Sequence, residues 1–533
     1  LGGNQLSKST QAAKSVAVIT VFTIGSKFLG FFREMLIASK FGSGVETDTF
    51  FMALSATTLL TSLLQSAINT TTIPVLSEVE ALEGKEGKKA HTSNLVNIVL
   101  LAALALVVFG LFAAPIVVRI IAFGFSGEQY RLAIKLVRIG LPVALFSCTI
   151  GVFRGYLHSE MKFFETAATS FPFNFVYIFF LLFLAGTFGI KGLMVTSVLA
   201  VASQFLIQLP GLIKTGYRYT PVFNLKDKYI DKILKLVPPV FIGVAVRDIN
   251  VLIDKSLASS LPTGSISALN YANRLNVLIL GVFIASITTV LYPMLAKEAS
   301  AENHGGLKKV LAQGANVIVL ITVPATVGMV VLARPIVAAV FQRGAFDAVA
   351  TGMTTGALIF YSLGLVGMAL KSLLNYVYYS LQDTRTPMYN SFIAVAINIG
   401  ANLILIRFLA HQGLALATSI SSVATAALLA AGLRKKIGGI GGHRVLNTSL
   451  KCLVAAGVMG GVAYFSFSAL SKALGSGFAP QVLALAVAVT LAAGVYGAIL
   501  VLLRVEEVSW LAGLARHELD RRGYRLPWAR REK

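Results

Sequence analysis

The chain has 533 residues, of which 56% are hydrophobic and only 13% charged, and its 46 Lys and Arg against 23 Asp and Glu leave a net charge of +23. Soluble domains carry about 45–50% apolar and about 25% charged residues, so this composition excludes an ordinary soluble protein and leaves no room for a soluble catalytic domain between membrane spans of about 20 residues each. The basic residues come in short clusters between apolar runs, the pattern of loops beside a membrane rather than of a nucleic-acid surface.

Apolar runs bounded by charges or by Gly and Pro predict an all-α polytopic membrane protein of about fourteen transmembrane helices. The first, 16–39, follows Lys8 and Lys14 but holds Lys27 and Arg33 and lacks a small-residue cleavage site, so it is expected to be retained. The opening Leu1-Gly2-Gly3 reads as a processed end and takes no part in the fold reading. The next five spans are 48–77, 92–118, 132–153, 166–186 and 192–213. Unbroken runs such as Asn97 to Ile121 and Phe171 to Leu184 are helical, unlike the ten-residue alternating segments of an outer-membrane barrel. Spans seven to twelve follow at 236–258, 265–296, 310–333, 350–381, 388–409 and 413–433, and a last pair at 449–471 and 480–503. Cys148 and Cys452 fall inside apolar runs, far apart, and read as small buried residues rather than a disulfide or metal pair.

An even number of spans puts both termini on one side. Alternate connections hold about 30 Lys and Arg on the N-terminal side against about nine on the other, which places the termini in the cytoplasm. The tail from Arg504 to Lys533 mixes Trp510, Leu511, Leu514, Leu519 and Trp528 with eight basic residues, suiting a helix laid on an anionic leaflet.

An internal repeat emerges from two matches at nearly one offset. Thr71-Thr72-Ile73-Pro74-Val75-Leu76 ends the second span, and Val290-Leu291-Tyr292-Pro293-Met294-Leu295 ends the eighth, 219 positions on. Gly155-Tyr156-Leu157-His158-Ser159-Glu160 ends the fourth, and Tyr379-Ser380-Leu381-Gln382-Asp383-Thr384 ends the tenth, 224 positions on. The repeat predicts an N-lobe (1–215), a C-lobe (216–436), an added helix pair (437–503) and the basic tail (504–533). Lobes with even span counts share an orientation and would face each other across a midplane cleft, the architecture of a transporter.

Seven cations lie at or inside span edges: Lys27, Arg33, Lys135, Arg138, Arg247, Arg274 and Lys371. Each would cost about 2.5–3.5 kcal/mol facing lipid at the midplane, so they must face water, snorkel or be paired. Lys135 and Arg138 are placed to snorkel. Glu34 follows Arg33 directly, and neighbours on a helix point about 100° apart, so Glu34 is expected to orient a cation on another helix. The second span carries a polar stripe, Thr57, Thr58, Thr61, Ser62, Gln65, Ser66, Asn69, Thr70, Thr71 and Thr72, open to helix-to-helix hydrogen bonding or to lining a wet cavity. A cleft with several cations and few acids calls for an anionic cargo, with Arg matching phosphate oxygens as a fork and Lys as a point charge. In the C-lobe, Asp248 on the seventh span, Asn398 and Asn402 on the eleventh and Thr418 on the twelfth offer the oxygen ligands of a hard cation.

The chain resembles the MurJ (MviN) family of bacterial lipid II flippases, within the superfamily of multidrug, oligosaccharidyl-lipid and polysaccharide exporters. The resemblance rests on Ser26-Lys27-Phe28-Leu29-Gly30-Phe31-Phe32-Arg33-Glu34, on Phe41-Gly42 through Thr47-Asp48, on Ser265-Ile266-Ser267-Ala268-Leu269-Asn270-Tyr271-Ala272-Asn273-Arg274-Leu275 and on Gln382-Asp383-Thr384-Arg385-Thr386-Pro387. It implies a V-shaped pair of lobes around a cationic cavity, with the last two helices forming a groove for a polyprenyl tail. The implied cargo is undecaprenyl-pyrophosphoryl-MurNAc-pentapeptide-GlcNAc, carried from the inner to the outer leaflet of the bacterial plasma membrane for peptidoglycan synthesis, with membrane lipids and cell-wall synthesis proteins as its surroundings. The resemblance carries substrate-binding roles onto Arg33, Arg274, Lys27 and Asp48, which Glu34 and Lys371 join as charged residues inside spans, and it carries a sodium ion, the one candidate cofactor, onto Asp248, Asn398, Asn402 and Thr418. The chain departs from some relatives at Thr61, where they have arginine, and at Ser66 and Val277, where they have acids.

Alternating access is the expected mechanism, driven by the inside-negative potential that favours outward movement of an anion; no GxxxxGK[ST] motif is present. A flippase for another polyprenyl-linked saccharide, or a drug exporter of the same superfamily, is the alternative. An enzyme is not expected: His91, His158, His304, His411, His443 and His517 lie in loops or at span ends, none paired at metal spacing.

Overall fold

The computed structural model describes residues 22, 25–439, 442–475, 477–505 and 507, and every regular element among them is helical. Helix α1 covers 25–41; α2 is Val45–Ile121, α3 Gly127–Gly140, α4 Val143–Ser159, α5 Phe164–Ala168, α6 Ser170–Phe183, α7 Ala185–Leu206 and α8 Leu209–Lys214. Then come α9 (Lys228–Ala258), α10 (Ser265–Ile279), a five-residue π-helical turn (Leu280–Ile284), α11 (Ala285–Ser300), α12 (His304–Val331) and α13 (Ala333–Phe341). The chain closes with α14 (Ala348–Leu363), α15 (Leu365–Ser380), α16 (Arg385–Ile437), α17 (Gly442–Leu474) and α18 (Phe478–Leu502).

At 77 and 53 residues, α2 and α16 are too long for one crossing, since a rise of 1.5 Å per residue would carry them far beyond a hydrocarbon core of about 30 Å. Each breaks where one residue takes a positive φ: Gly84 (φ 73°) and Ala410 (φ 48°). Around Gly84 the apolar pattern gives way to charges, and Glu80 with Lys88 and Glu83 with His91 bond across eight positions, reachable because the chain turns there. Among the described residues, eight helices are long and apolar enough to cross a membrane, nine with the bent pair α14–α15. Dividing α2 and α16 at their breaks and adding 25–41, α9 and α10–α11 is consistent with the fourteen expected spans. The last two are polar for good reason: α9 carries Arg247, Asp248, Asp254 and Lys255, and α10 carries Asn270, Asn273, Arg274 and Asn276.

The chain gathers into two compact units. The first holds the described part of Leu1–Arg274 with Phe341–Ala357 and Asn398–Leu414. Its core packs Val75 and Val79 of α2 against Val96, Tyr156 of α4 and Ile230 and Ile233 of α9. Small residues let α3 and α4 approach α2 closely: a Cβ on Gly140 would meet Thr57, and one on Gly155 would meet Thr72. The second unit holds Leu275–Val340, Leu358–Ile397 and the described part of Ala415–Lys533. One core there joins α11, α12, α15 and the second half of α16 through Leu295, Leu311, Leu373 and Leu429, and another seats α17 and α18 on α12 through Ala455, Ala492 and Val323. Cys148 and Cys452 are free and buried. Apart from residues 504, 505 and 507, the basic tail lies outside the described residues, as do Lys8 and Lys14.

Candidate functional site

Within the first unit, three helices bring cations around one carboxylate. Glu34 on α1 is buried, and its Oε1 accepts from Arg33 Nη2 at 2.8 Å and lies 3.3 Å from Arg274 Nε on α10. Glu34 does meet a cation on another helix, Arg274, but it also pairs with its neighbour: adjacent backbone positions diverge, yet the long Arg33 guanidinium folds back, so one oxygen engages both arginines. The Arg33 guanidinium lies over the rings of Phe173 and Tyr177 on α6, 5.3 and 4.9 Å from their centroids, and Tyr177 is steadied by donating its hydroxyl proton to Ser197 Oγ at 2.7 Å. Arg33 Nε and Glu34 Oε2 are buried without a protein hydrogen-bond partner. The Arg274 side chain stays 44% exposed.

Lys255 on α9 joins the same electrostatic neighbourhood, interacting with both Glu34 and Arg274. Its Nζ donates to Ser55 Oγ of α2 at 2.6 Å and stands 5.9 Å from the Phe51 ring. Three cations less one carboxylate leave a local charge of +2. Such an excess in a poorly solvated place is costly alone and is relieved by a dianion with oxygens to match the guanidinium forks.

The other proposed cargo residues divide. Lys27, half-buried, lies seven positions before Glu34 and so within about 20° of it around α1. Lys371 lies half-buried on α15 in the second unit. Asp48 is a correction: its carboxylate is buried and spent on the protein. Oδ2 accepts from Gly264 N at 2.6 Å, and Oδ1 accepts from Ser267 N at 2.8 Å and Ser267 Oγ at 2.7 Å. Ser43 and Ser267 hydroxyls bond at 2.7 Å, and the Tyr271 hydroxyl donates to Gly42 O at 3.1 Å. Gly42 takes φ 66°, and a Cβ there would strike Ala345 O at 2.3 Å, so the tight corner admits only glycine. These bonds join residues 216 to 229 apart, close to the offset of the sequence repeat, so the corner before α2 and its counterpart before α10 hold each other. Asp48 clasps the start of α2 to the start of α10, the helix that presents Arg274.

Six hydroxyls of the polar stripe on the second span are engaged within their own helix. Thr57, Thr58, Thr61, Ser62, Thr70 and Thr71 donate to carbonyls three or four residues back in their own helix. Arg138 Nε donates to Leu111 O at 3.0 Å, and Lys135 is exposed, both opposite the buried face of α3 formed by Ala133, Leu136 and Val137.

The proposed cation ligands are partly rearranged. Asn402 Nδ2 donates to Asn398 Oδ1 at 2.9 Å and to Asp254 Oδ1 at 2.6 Å, with both asparagines buried. The carboxylate beside the asparagines is thus Asp254. The side chain of Asp248, six positions earlier on α9, lies outside the described residues. A carboxylate with amide oxygens is suitable chemistry for a hard monovalent cation. Thr418 lies on the second half of α16, in the second unit. That unit also contains a cavity of about 570 Å³, almost wholly apolar, walled by residues such as Leu311, Leu370, Val423, Ala427, Val445 and Leu446. It is lined by α12, α15, α16 and the first turns of α17, with no contribution from α18, whereas the expected tail groove involved the whole final pair.

Comparison with known proteins matches this arrangement to one family. The family model described as lipid II flippase MurJ matches residues 37–485. A probable lipid II flippase MurJ of Vibrio cholerae is 30% identical over 517 residues, covering 94% of this chain and 98% of that protein. The lipid II flippase MurJ of Burkholderia cenocepacia is 28% identical, covering 79% and 84%. Among solved structures, a lipid II flippase MurJ in an inward closed conformation aligns with a TM-score of 0.76 at 26% identity, covering 91% of this chain and all of that one. An inward-facing multidrug resistance MATE family transporter of the MOP superfamily aligns at 0.64 with 15% identity, covering 80% and 98%, a likeness of fold alone. With a family model spanning most of its length and a relative at 30% identity nearly end to end, the chain belongs to the lipid II flippase MurJ family.

Proposed function

We propose that this chain is a lipid II flippase of the bacterial plasma membrane, with both termini cytoplasmic, that moves its polyprenyl-diphosphate-linked cargo to the outer leaflet by alternating access. The observation that carries the reading is the +2 cluster of Arg33, Arg274, Lys255 and Glu34, set in a chain of this family. The diphosphate takes the partly exposed side chain of Arg274 and the buried Nε of Arg33, while Lys255 adds charge at longer range. Lys27 is a further candidate contact to the headgroup. Glu34 holds the two guanidinium groups together when no anion does, which limits the cost of their mutual repulsion. The polyprenyl tail stays apolar throughout, and the cavity of α12, α15, α16 and α17 suits it.

Outward movement of an anion is favoured by about 2.3 kcal/mol per charge for each 100 mV of inside-negative potential, so flux needs no catalytic chemistry in the chain. Asp254 with Asn398 and Asn402 would hold a sodium ion, whose gradient would supply a second driving force; Asp248 is a further candidate ligand. Drug export is the weaker reading, because cationic drugs need a net acidic site and this cluster is net basic.

Proteoliposomes holding the purified chain and fluorescent lipid II test the proposal. Flux should rise when the potential attracts anions to the acceptor side and fall when it is reversed. Equal flux at both polarities would refute coupling to the potential, and no flux at either would refute the transport reading.

A further inference from the structure

A second polar cavity, of about 420 Å³, lies elsewhere in the first unit, where the start of α2, the start of α3 and α7 just past the break at Gly189 come together. Glu46, Glu128, Arg131, Lys135 and Lys191 ring it, and Val45 forms part of its wall. None of the five charged side chains has an ion-pair partner within 4.0 Å among the described residues. All five are exposed, so their charges are available to something outside the protein.

The position makes this gathering unusual. These helix ends lie on the side that the charge bias assigns to the outside, whose connections carry only about nine Lys and Arg in all; Arg131 and Lys191 are two of them, and Lys135 joins them from the edge of the fourth span. Charge alone would not bring them together, since like charges repel. The cavity also sits where chain leaves lipid: Phe123 and Phe188, 51% and 59% exposed, flank its segments in sequence, as interfacial aromatics do. Three cations with two carboxylates leave +1, the complement of one phosphodiester. The carboxylates in turn need donors, such as hydroxyl groups carried beyond that phosphate.

We propose that this cavity is an outer-leaflet site for the headgroup of an anionic glycerophospholipid, with the phosphate on Arg131, Lys135 and Lys191 and the headgroup hydroxyls donating to Glu46 and Glu128. The site is independent of cargo transport. Because Glu46 lies two residues before Asp48, an occupant also steadies the corner that carries the clasp.

Native mass spectrometry of the full chain, titrated with phosphatidylglycerol or phosphatidylcholine, tests it. Phosphatidylglycerol should bind in preference, and Lys191→Gln should weaken it about fivefold, the worth of one Lys or Arg near a lipid surface. Arg131→Gln with Lys135→Gln and Lys191→Gln should weaken it about a hundredfold on the same scale. If the triple variant does not fold, the exposed single substitution still decides. Equal binding of the two lipids, or phosphatidylglycerol binding unchanged by Lys191→Gln, would overturn the proposal. So would variant-sensitive binding of undecaprenyl diphosphate without that of phosphatidylglycerol, which would make the cavity a cargo subsite instead. Lipid binding is read without flux, so failure here is separable from failure of the transport reading.

Discussion

Replacing Asp48 by asparagine should release the clasp while leaving its shape nearly unchanged. The carboxylate accepts three hydrogen bonds, from Gly264 N, Ser267 N and Ser267 Oγ. Asparagine keeps one carbonyl oxygen for Ser267 but turns an NH2 group toward the Gly264 N–H, donor against donor. Losing one charge-assisted bond costs about 1.5–3 kcal/mol, and orphaning a buried N–H a further 1–3, so the clasped state should weaken by about 2.5–6 kcal/mol. At 1.4 kcal/mol per factor of ten, that is at least about sixtyfold in the equilibrium. The 2.7 Å approach of the Ser43 and Ser267 hydroxyls provides the assay. With cysteine at both positions, side chains this close can form a disulfide, and native Cys148 and Cys452 are buried. Oxidative cross-linking of Ser43→Cys/Ser267→Cys should be rapid with Asp48 intact and at least tenfold slower with Asp48→Asn. Equal rates in both backgrounds would refute the assignment of Asp48 as a clasp.

Glu34→Gln should raise the local charge from +2 to +3, so a diphosphate lipid should bind more tightly while single-cycle release slows, seen as a lower Kd with lower flux. Asp254→Asn should abolish any sodium dependence of flux in proteoliposomes, whereas Asp248→Asn should alter it less. Outside the spans, Asp383 is held down to about 2, chiefly by a hydrogen bond from Lys436 Nζ at 2.8 Å, against the opposing effect of burial and with help from the Thr386 N–H and hydroxyl. A carboxyl whose folded pKa lies below its unfolded value near 3.9 stabilises fully above that value, and the gain is lost as pH falls toward 2. Lys436→Gln should therefore lower thermal stability at pH 7 by less than about 1 kcal/mol, because Lys436 is 43% exposed, and the difference from wild type should shrink in acid.

Much of the site is legible in the sequence because charge inside an apolar run is conspicuous. Arg33, Glu34 and Arg274 stand out for that reason, and the structure brings them together. Lys255 and Asp254 escape because they lie within four residues of the end of α9, where charged residues ordinarily reach the interface. A signal was present: Arg247 with Asp254, and Asp248 with Lys255, repeat at seven residues, so the polar stripe continues to the helix end. Phe173 and Tyr177 gave no hint, since aromatic residues in a span rich in Phe read as lipid-facing, and only packing turns them toward a guanidinium. The threonines of α2 were ambiguous in the sequence, because a hydroxyl that donates to its own helix has the same spacing as one aimed at a neighbour or at water. Asp48 was visible as a residue but not as a clasp; its partners lie more than 200 positions away.

The most direct test is the affinity of the purified chain for lipid II, measured in nanodiscs for wild type, Arg33→Ala and Arg274→Ala. Each arginine should contribute about 1.5–3 kcal/mol through charge-assisted bonds to the diphosphate, so each variant should bind roughly ten- to a hundredfold more weakly. Uncharged polyprenol should bind all three alike. Lipid II binding unchanged by both substitutions would contradict the account.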